Sequence, residues 1–597
     1  MRVKIPHRLK SNKTTSLPSQ FMFFDTETNP VKGKDGCITH RLKLGWACYW
    51  LRRSNNIDDT IIWQKFTTEK QFWDFVCSHV RSKTRLILIA HSIVFDFTVS
   101  GGWYSLVDRG WKLSRLYEKN HIFIANYKKK DMTILLLDNM NFFACKLEQL
   151  GQEIGFEKLK INFSKCTNEQ LFIYCKRDTE ILLKTWQKYM SWHKQNDLGT
   201  FGVTISAQAF NTFRHRFMKH DIFIHNRRYV SNLERESYYG GRTECFKLGE
   251  YNDDRYYDLD VNSMYPSVMA ICDFPVKFVS FDLDCGIGKL SLYLKKYCCV
   301  ARVIINTKKP MFPVRKNIKV IFPVGNFEAV LTSGELKLAL AENVIQEVLS
   351  VSIYERAQIF SDFIKFFYDE RLQAKREGNN SYSQFYKIIM NSLYGKFGQL
   401  MGEWETCGKC DPKEVKYWRE SVQGDPKIYK YRKINGLIQR YEKKREAFNS
   451  FCAVASHVTG YARVKMWNLM VKAGHDNIYY CDTDSLFVNS EGYKNLRSEI
   501  SLTEIGKLKI EDKTEDLKLL GCKHYVFGNI RKHKGKKNNA IKLSDNVYRQ
   551  SQWSTLKTLI SNENLEDYRV TEVIKHFTGK YDKGTVLDNG TVVPLVL

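Results

Sequence analysis

Short apolar runs separated by polar punctuation dominate the first third of the chain. "QFMFFDTETN" and "RLILIAHSIVFDF" each read as a strand, and "NEQLFIYCKRDTEILLKTWQKYMSW" repeats its apolar residues at helical spacing. Strands and helices alternate in this way over residues 21–185, the pattern of an α/β unit. From Thr204 the texture changes to mixed helix, loop and strand. Two helical patterns, Ile359–Arg376 and Ser383–Phe397, flank the polar, Gly-bearing "KREGNNSYSQ" and predict a helical hairpin. Near the end, "YDKGTVLDNGTVVPLVL" sets Asp-Asn-Gly between Val-rich runs and predicts a β-hairpin. No repeat period is visible. No apolar run approaches the ~18–20 residues of a membrane span, so no membrane partner is expected.

Two strand-like stretches carry acids on alternate positions. In "IYYCDTDSLFVN", Asp482 and Asp484 are two apart inside an apolar, aromatic run. A strand would turn both to one face. Two bare carboxylates side by side repel, and burial sharpens the conflict, which a divalent cation relieves. Upstream, "RYYDLDVNSMYPSVM" places Asp258 and Asp260 on a common face, and spacing alone does not choose between them. Between these stretches, Lys387, Asn391 and Tyr394 of "QFYKIIMNSLYGKFGQ" fall at i, i+4 and i+7 on one helix face. Arg371 and Lys375 of "DERLQAKREG" are also i, i+4. Cations beside an aromatic ring suit a nucleotide, although core packing and a solvated face would produce the same spacings.

A second acidic set lies in the α/β unit. Asp25 and Glu27 share a face in "FFDTETN", Asp96 sits in "AHSIVFDF", and Tyr174 and Asp178 are i, i+4 in "YCKRDTEI". Four acids from three elements and one tyrosine suit a two-metal hydrolytic site.

Composition narrows the partner. Lys and Arg total 93 against 65 Asp and Glu, a formal net charge of +28, which favours a polyanion such as nucleic acid. Aromatics reach 14%, which suits stacking on bases as well as large cores. The 16 cysteines are scattered, and the one CxxC, Cys407 and Cys410, lacks a second pair or a nearby His, so it is a weak zinc signal. Reduced thiols and an intracellular setting are expected. The acid-free first twenty residues share their composition with organelle transit peptides but show no amphipathic helix, and are expected to form a disordered basic arm.

In chain order, "DVNSMYPS", "KIIMNSLYGKFG" and "YCDTDS" resemble motifs A, B and C of family B DNA polymerases. The resemblance implies that Asp260 and Asp484, with Asp482 nearby, hold the metals and that Val261 offers its carbonyl. It implies that Tyr265 packs under the sugar, that Lys387 and Arg371 grip the triphosphate, and that Asn391 and Tyr394 line the nascent base pair. The choice of Asp260 over Asp258 comes from that register.

The acids of the α/β unit resemble the DEDDy 3′–5′ exonucleases: Asp25, Glu27, Asp96 and Asp178 with Tyr174. Lys158 fits a lysine that contacts the scissile phosphate, with Lys160 as a competitor. Ser92 stands where that family has Asn, and Thr28, Ser92 and Phe95 are expected to share the grip on single-stranded DNA.

Four features are similar to the protein-primed branch of phages, linear plasmids and adenoviruses. The exonuclease strand begins at Phe21 without a long domain before it. "YYGGRTE" matches the branch's YxGG segment, so Tyr238, Gly240, Gly241 and Arg242 are expected on DNA. A long stretch between Asp260 and Lys387 leaves room for an insertion. "CKHYVFG" supplies Lys523 and Tyr525 as a KxY motif for the primer strand.

The resemblance implies a multidomain α/β and α+β fold: a basic arm (1–20), a ribonuclease-H-like exonuclease (21–200) and a right-hand polymerase. The polymerase comprises palm (201–270 and 441–545), fingers (359–401) and thumb (546–597), with terminal-protein-region insertions at 271–358 and 402–440. Its implied activity is processive, strand-displacing, protein-primed DNA-directed DNA synthesis with proofreading. Mg²⁺ or Mn²⁺ would serve as cofactor, two ions per active site. Primer-template DNA, dNTPs and a separate priming protein would be the partners of a monomer in host cytoplasm or in a mitochondrion. A conventionally primed family B polymerase and a catalytically idle DNA-binding relative are the alternatives. A reverse transcriptase would show YxDD in place of "YCDTDS".

Overall fold

The structure is a computed structural model that describes residues 4–33, 36–53, 58–119, 122–421 and 427–597. Its largest sheet has ten strands. Gln20–Lys32 runs parallel to Arg85–Ala90 and antiparallel to Ile38–Leu51. Phe21 and Phe23 face one core, under the helix Asn168–Gln195, and Met22 and Phe24 face the other, under Glu69–Ser78, Ile93–Val99 and Gly102–Asp108. The period-two pattern is thus apolar on both faces because both faces are covered. Helix Asn168–Gln195 starts at a capping box, in which Thr167 and Gln170 satisfy each other's backbone N–H groups.

Three departures from expectation concern this unit. "RLILIAHSIVFDF" is not one strand: it ends at Ala90, and Ile93–Val99 is helical. Ser92 takes the left-handed conformation, φ +70°, and the Asp138 carboxylate accepts the N–H groups of Ser92 and Ile93 at 3.2 and 3.0 Å. That distant acid starts the helix and turns Asp96 inward. Secondly, the basic arm is ordered over residues 4–20. His7–Arg8 pairs with Phe223–Ile224, Leu9 is buried, and His7 stacks on Phe448 at 4.2 Å. An acid-free composition hid one apolar anchor and free edge-strand partners. Thirdly, the carboxy-terminal strands Tyr568–His576 and Val547–Trp553 extend this same sheet, because Ile38, Thr39 and His40 pair with Val570, Arg569 and Tyr568.

A five-stranded sheet forms a second centre, in the order Thr243–Cys245, Ile478–Asp482, Ser485–Val488, Tyr256–Val261, Leu508–Thr514. Its back is covered by Cys452–Ala473, a helix buried on nearly every side, whose Ala462, Met466 and Met470 meet Leu259, Val261 and Ile478. The predicted helical hairpin is Ser361–Arg376 and Asn380–Ser392, with a short further helix, Tyr394–Phe397. Residues 271–358 contribute four strands to a six-stranded sheet, and residues 402–440 build a four-stranded sheet of their own. The predicted terminal hairpin pairs Gly584–Val586 with Val592–Pro594. Among the described residues no helix is long and apolar enough to cross a membrane.

Candidate active sites

The central sheet brings its acids together by register. Asp260 lies opposite Ser485 on one side and Lys509 on the other. Leu259, between Asp258 and Asp260, is fully buried, which leaves both acids on the opposite face. Asp482 and Asp484 converge differently from the expectation of a single strand. The strand ends at Asp482, which pairs with Ser485, and Thr483 (φ +65°) and Asp484 form the hairpin turn. The Asp484 N–H donates to the Asp482 carbonyl at 2.7 Å, and the Val261 N–H donates to the Asp484 carbonyl at 2.8 Å. Val261, an expected carbonyl ligand, thereby ties the end of one acidic element to the other.

Burial, and then the Asp484 carboxylate, push Asp260 up to about 7, against the pull of Lys509 at 3.6 Å. Burial and Asp260 push Asp258 up to about 7, and burial also raises Asp484. Asp482 accepts from Thr243 at 3.1 Å and from Tyr480 at 3.2 Å and faces Lys523 at 3.2 Å. Asp258 Oδ1 is buried with no hydrogen-bond partner. Crowded carboxylates raised toward neutrality, with an unpartnered oxygen on the neighbouring Asp258, fit a hard divalent cation.

Cations from the helical hairpin face this cluster. Lys387 is exposed, and its charge acts on both Asp260 and Asp484. Arg371 donates to Ser263 Oγ at 3.1 Å while its Nε has no hydrogen-bond partner, and Lys375 is held down by burial and by Arg371, Lys509 and Lys387. Asn391 turns its amide back to the Lys387 carbonyl at 2.9 Å. Tyr394 lies just past a break in the helix at Leu393 and meets Tyr265 ring to ring at 5.0 Å. Lys509 had no periodic signal in the sequence and was missed.

Of the residues expected on DNA, two are placed otherwise. Arg242 is buried: it pairs with Glu244 at 2.7 Å, donates to the Pro310 carbonyl at 2.8 Å and lies over Phe322. Its alternate-position partner Glu244 was a signal for this. The Tyr525 ring is buried against Phe487 and Tyr480, whereas Lys523 remains half exposed. Gly240 borders open space, but a Cβ on Gly241 would stand 2.7 Å from Thr483 Cγ2. Gly241 therefore makes room for the acidic turn, which is tied down where the Thr483 N–H donates to the Arg242 carbonyl at 2.6 Å. Arg463 holds this loop from behind through the carbonyls of Tyr239 and Gly240, both at 3.0 Å, and Tyr238 packs beside Arg235.

The second site sits where strand Gln20–Lys32 meets helices Ile93–Val99 and Asn168–Gln195. Asp96 is buried and accepts from the Thr26 N–H at 3.1 Å and hydroxyl at 2.7 Å. Burial pushes it up to about 8, against those bonds. Burial, with Asp178, pushes Glu27 up to about 7 and holds Asp25 well above the usual carboxylate range. Lys158 forms an ion pair with Asp178 and lies 4.7 Å from the Tyr174 ring centre, which distinguishes it from Lys160. Burial lowers Lys158, and the Asp178 charge more than offsets this. Asp178 Oδ1 is buried without a partner, so this site too fits an oxygen-seeking cation. Thr28 hydrogen-bonds His40 at 2.8 Å, and Phe95 packs against His40, Trp553 and Tyr568. Ser92 contributes only a long contact to Met140 Sδ at 3.8 Å. Asp138, Cys175, His40 and Trp553 were not anticipated.

Taken together, these two acidic centres sit on a fold shared with solved polymerases. Phi29 DNA polymerase complexed with primer-template DNA and incoming nucleotide substrates superposes with a TM-score of 0.63, covering 95% of this chain and all of that one at 15% identity. Its binary complex with primer-template DNA gives 0.61. At that identity the likeness is one of fold. The family model "DNA polymerase type B, organellar and viral" matches residues 157–472, just over half of the chain. The chain belongs to that family.

A probable DNA polymerase of Neurospora intermedia is 28% identical over 399 residues, covering 63% of this chain and 39% of that protein. The DNA-directed DNA polymerase of Enterobacteria phage PRD1 is 25% identical over 390 residues, covering 62% and 63%. The chain thus spans about two fifths of the fungal relative and under two thirds of the phage relative.

Proposed function

We propose that this chain is a DNA-directed DNA polymerase with a 3′–5′ proofreading exonuclease, and that each activity uses its own acidic centre. One observation carries the reading: strand pairing sets Asp260 beside the Asp482–Asp484 turn, opposite Lys387 and Arg371 of the helical hairpin. Family membership supports it. Asp260, Asp484 and Asp482, with the Val261 carbonyl, would hold two Mg²⁺ or Mn²⁺ ions, and Asp25, Glu27, Asp96 and Asp178 a second pair. Such ions activate an attacking oxygen and stabilise the departing one.

The chain's own groups do the rest. Lys387, Arg371 and Lys375 receive the triphosphate. The Tyr265–Tyr394 pair forms a wall for the sugar and the nascent base pair, and Asn391 lies beside it. In the second site Tyr174 orients water, with Lys158 balancing Asp178. The palm then comprises 201–270 and 441–545, the fingers 359–401 and the thumb 546–597. The four strands of 271–358 and the four-stranded sheet of 402–440 are the insertions, which in the protein-primed reading contact a terminal protein and encircle DNA for processive, strand-displacing synthesis. Tyr238, Gly240, Lys523, Thr28, Ser92 and Phe95 are the proposed DNA contacts, in a cell compartment that supplies dNTPs.

Primer extension and single-strand degradation, measured on the same preparations, test the two-site assignment. Asp484→Ala should abolish incorporation and leave degradation, and Asp25→Ala with Glu27→Ala should do the reverse. Loss of both activities in either folded variant refutes the assignment. Incubation with labelled dNTP, Mg²⁺ and candidate terminal proteins tests priming: label bound covalently to protein supports it, and label only on oligonucleotides supports conventional priming.

A further inference from the structure

Two thiols, far apart in sequence, meet beside the central sheet. Cys245 closes the edge strand Thr243–Cys245, and Cys522 lies in the turn between strands Leu517–Gly521 and His524–Phe527. Both pack into one cluster with Tyr480 and Tyr581. Cys522 Sγ donates to the Thr243 carbonyl at 3.4 Å, and Lys583 Nζ donates to the same carbonyl at 2.7 Å. The Tyr581 hydroxyl accepts the Cys245 N–H at 3.0 Å and holds that end of the strand in place. The two thiols are themselves in hydrogen-bond contact.

Their surroundings differ in the way a reactive pair requires. Cys522 is partly exposed, whereas Cys245 is buried. The hydrogen bond from Cys245, and then the charge of Lys583, hold the Cys522 thiol below its ordinary value against the opposing effect of burial. The same hydrogen bond, with burial, raises Cys245. An accessible sulfur eased toward thiolate can attack, and a shielded one beside it can resolve.

We propose that Cys245 and Cys522 form an oxidisable dithiol, a modification site whose co-substrate is a low-molecular-weight disulfide. The Cys522 thiolate attacks one sulfur of that disulfide, a mixed disulfide forms and one small thiolate leaves. Cys245 then gives up its proton and attacks the Cys522 sulfur, the internal disulfide forms and the second small thiolate leaves. The two protein thiols lose two electrons and two protons, and the small disulfide becomes two thiols.

The bond would act on the central acids. Joined sulfurs stand about 2.05 Å apart, closer than any hydrogen-bonded contact, so Cys522 leaves the Thr243 carbonyl and draws Lys523 with it. The Lys523 N–H donates to the Tyr480 hydroxyl at 3.1 Å, and its ammonium faces Asp482. Thr243, two residues before Cys245, also holds Asp482. Oxidation therefore disturbs the groups around Asp482 and spares the acids of the first sheet. The bond itself goes beyond the polymerase reading, and its effect on synthesis rests on that reading.

The test treats the full chain with glutathione disulfide and maps its peptides by mass spectrometry without reduction. Primer extension and single-strand degradation are measured on the same samples. A cross-link between the peptides of Cys245 and Cys522 is expected, with extension falling at least about fivefold, degradation unchanged and recovery on adding dithiothreitol. Cys522→Ser should keep the basal extension and lose both the cross-link and the sensitivity, and Cys245→Ala should do the same if the first variant fails to fold. No such cross-link, pairing with Cys481 in its place, or sensitivity that persists in both variants overturns the proposal. A cross-link that leaves extension unchanged overturns the link to Asp482. Extension by the untreated chain reports separately on the polymerase reading.

Discussion

The two acidic centres solve one electrostatic problem in different ways. In the central sheet the acids sit at the end of a strand and in a hairpin turn, and several lysines face them from other elements: Lys509, Lys523 and Lys387. In the first sheet the acids are deeper, and Lys158, ion-paired with Asp178, also acts by its charge on Asp25 and Glu27, with Lys43 acting on Glu27. Asp96 there is held by the N–H and hydroxyl of Thr26 instead of by charge. An open site borrows exposed, replaceable cations, whereas an enclosed one depends on a few fixed partners. Substitutions should therefore cost the second site more per residue.

The sharpest contrast is between lysines. Lys158→Met leaves the buried Asp178 without its partner, and degradation of single-stranded DNA should fall at least about a hundredfold. Lys523→Met removes a half-exposed cation from an Asp482 that Thr243 and Tyr480 also hold, and nucleotide incorporation should fall less than about tenfold. Equal losses in steady-state assays would break the comparison.

Next in size is Gly241→Ala. The added Cβ displaces Thr483 and with it the turn carrying Asp484, so incorporation should drop by roughly a hundredfold while degradation persists.

Stability should distinguish the sites through pH. In the metal-free protein Asp96 ionises near 8 and Glu27 near 7, whereas unfolded carboxylates ionise near 4. Between those values the folded state binds more protons than the unfolded state, so each such group makes stability fall as pH rises from about 4 to 8. Asp96→Asn removes one of these groups. Its melting temperature in chelator should exceed that of the unmodified chain at about pH 8, with the gap closing toward pH 5; a constant gap would count against the assignment. Divalent cations, which displace those protons, should stabilise the unmodified chain more at the higher pH.

The smallest effect is expected at Ser92. Its φ of +70° suits Asn better than Ser, so Ser92→Asn should raise stability by roughly 0.5 kcal/mol and lengthen the residence of single-stranded DNA, both measurable by melting and dissociation kinetics.

Local pattern carried much of this molecule. Alternation placed Asp25 with Glu27 and Asp258 with Asp260, and helical spacing placed Tyr174 with Asp178 and Arg371 with Lys375. What escaped was set by distant partners. Nothing around Ser92 announces that Asp138 will turn the chain there, and nothing in "CDTDS" announces that Thr483 will adopt a left-handed conformation. The pairing of His40 with Tyr568 joins residues from opposite ends of the chain, which no periodicity records. Arg242 looked like a surface charge because its environment, Pro310 and Phe322, comes from a separate segment.

That long-range pairing also has a mechanical meaning. Strand Tyr568–His576 is bonded to Ile38–Leu51, and His40 on that strand grips Thr28, one residue beyond Glu27. A rigid hydrogen-bonded lattice, with no slack linker, joins the tail's strands to the acids of the first sheet. A substitution that loosens the carboxy-terminal strand pairing should therefore disturb the acids of the first sheet before it disturbs those of the central sheet.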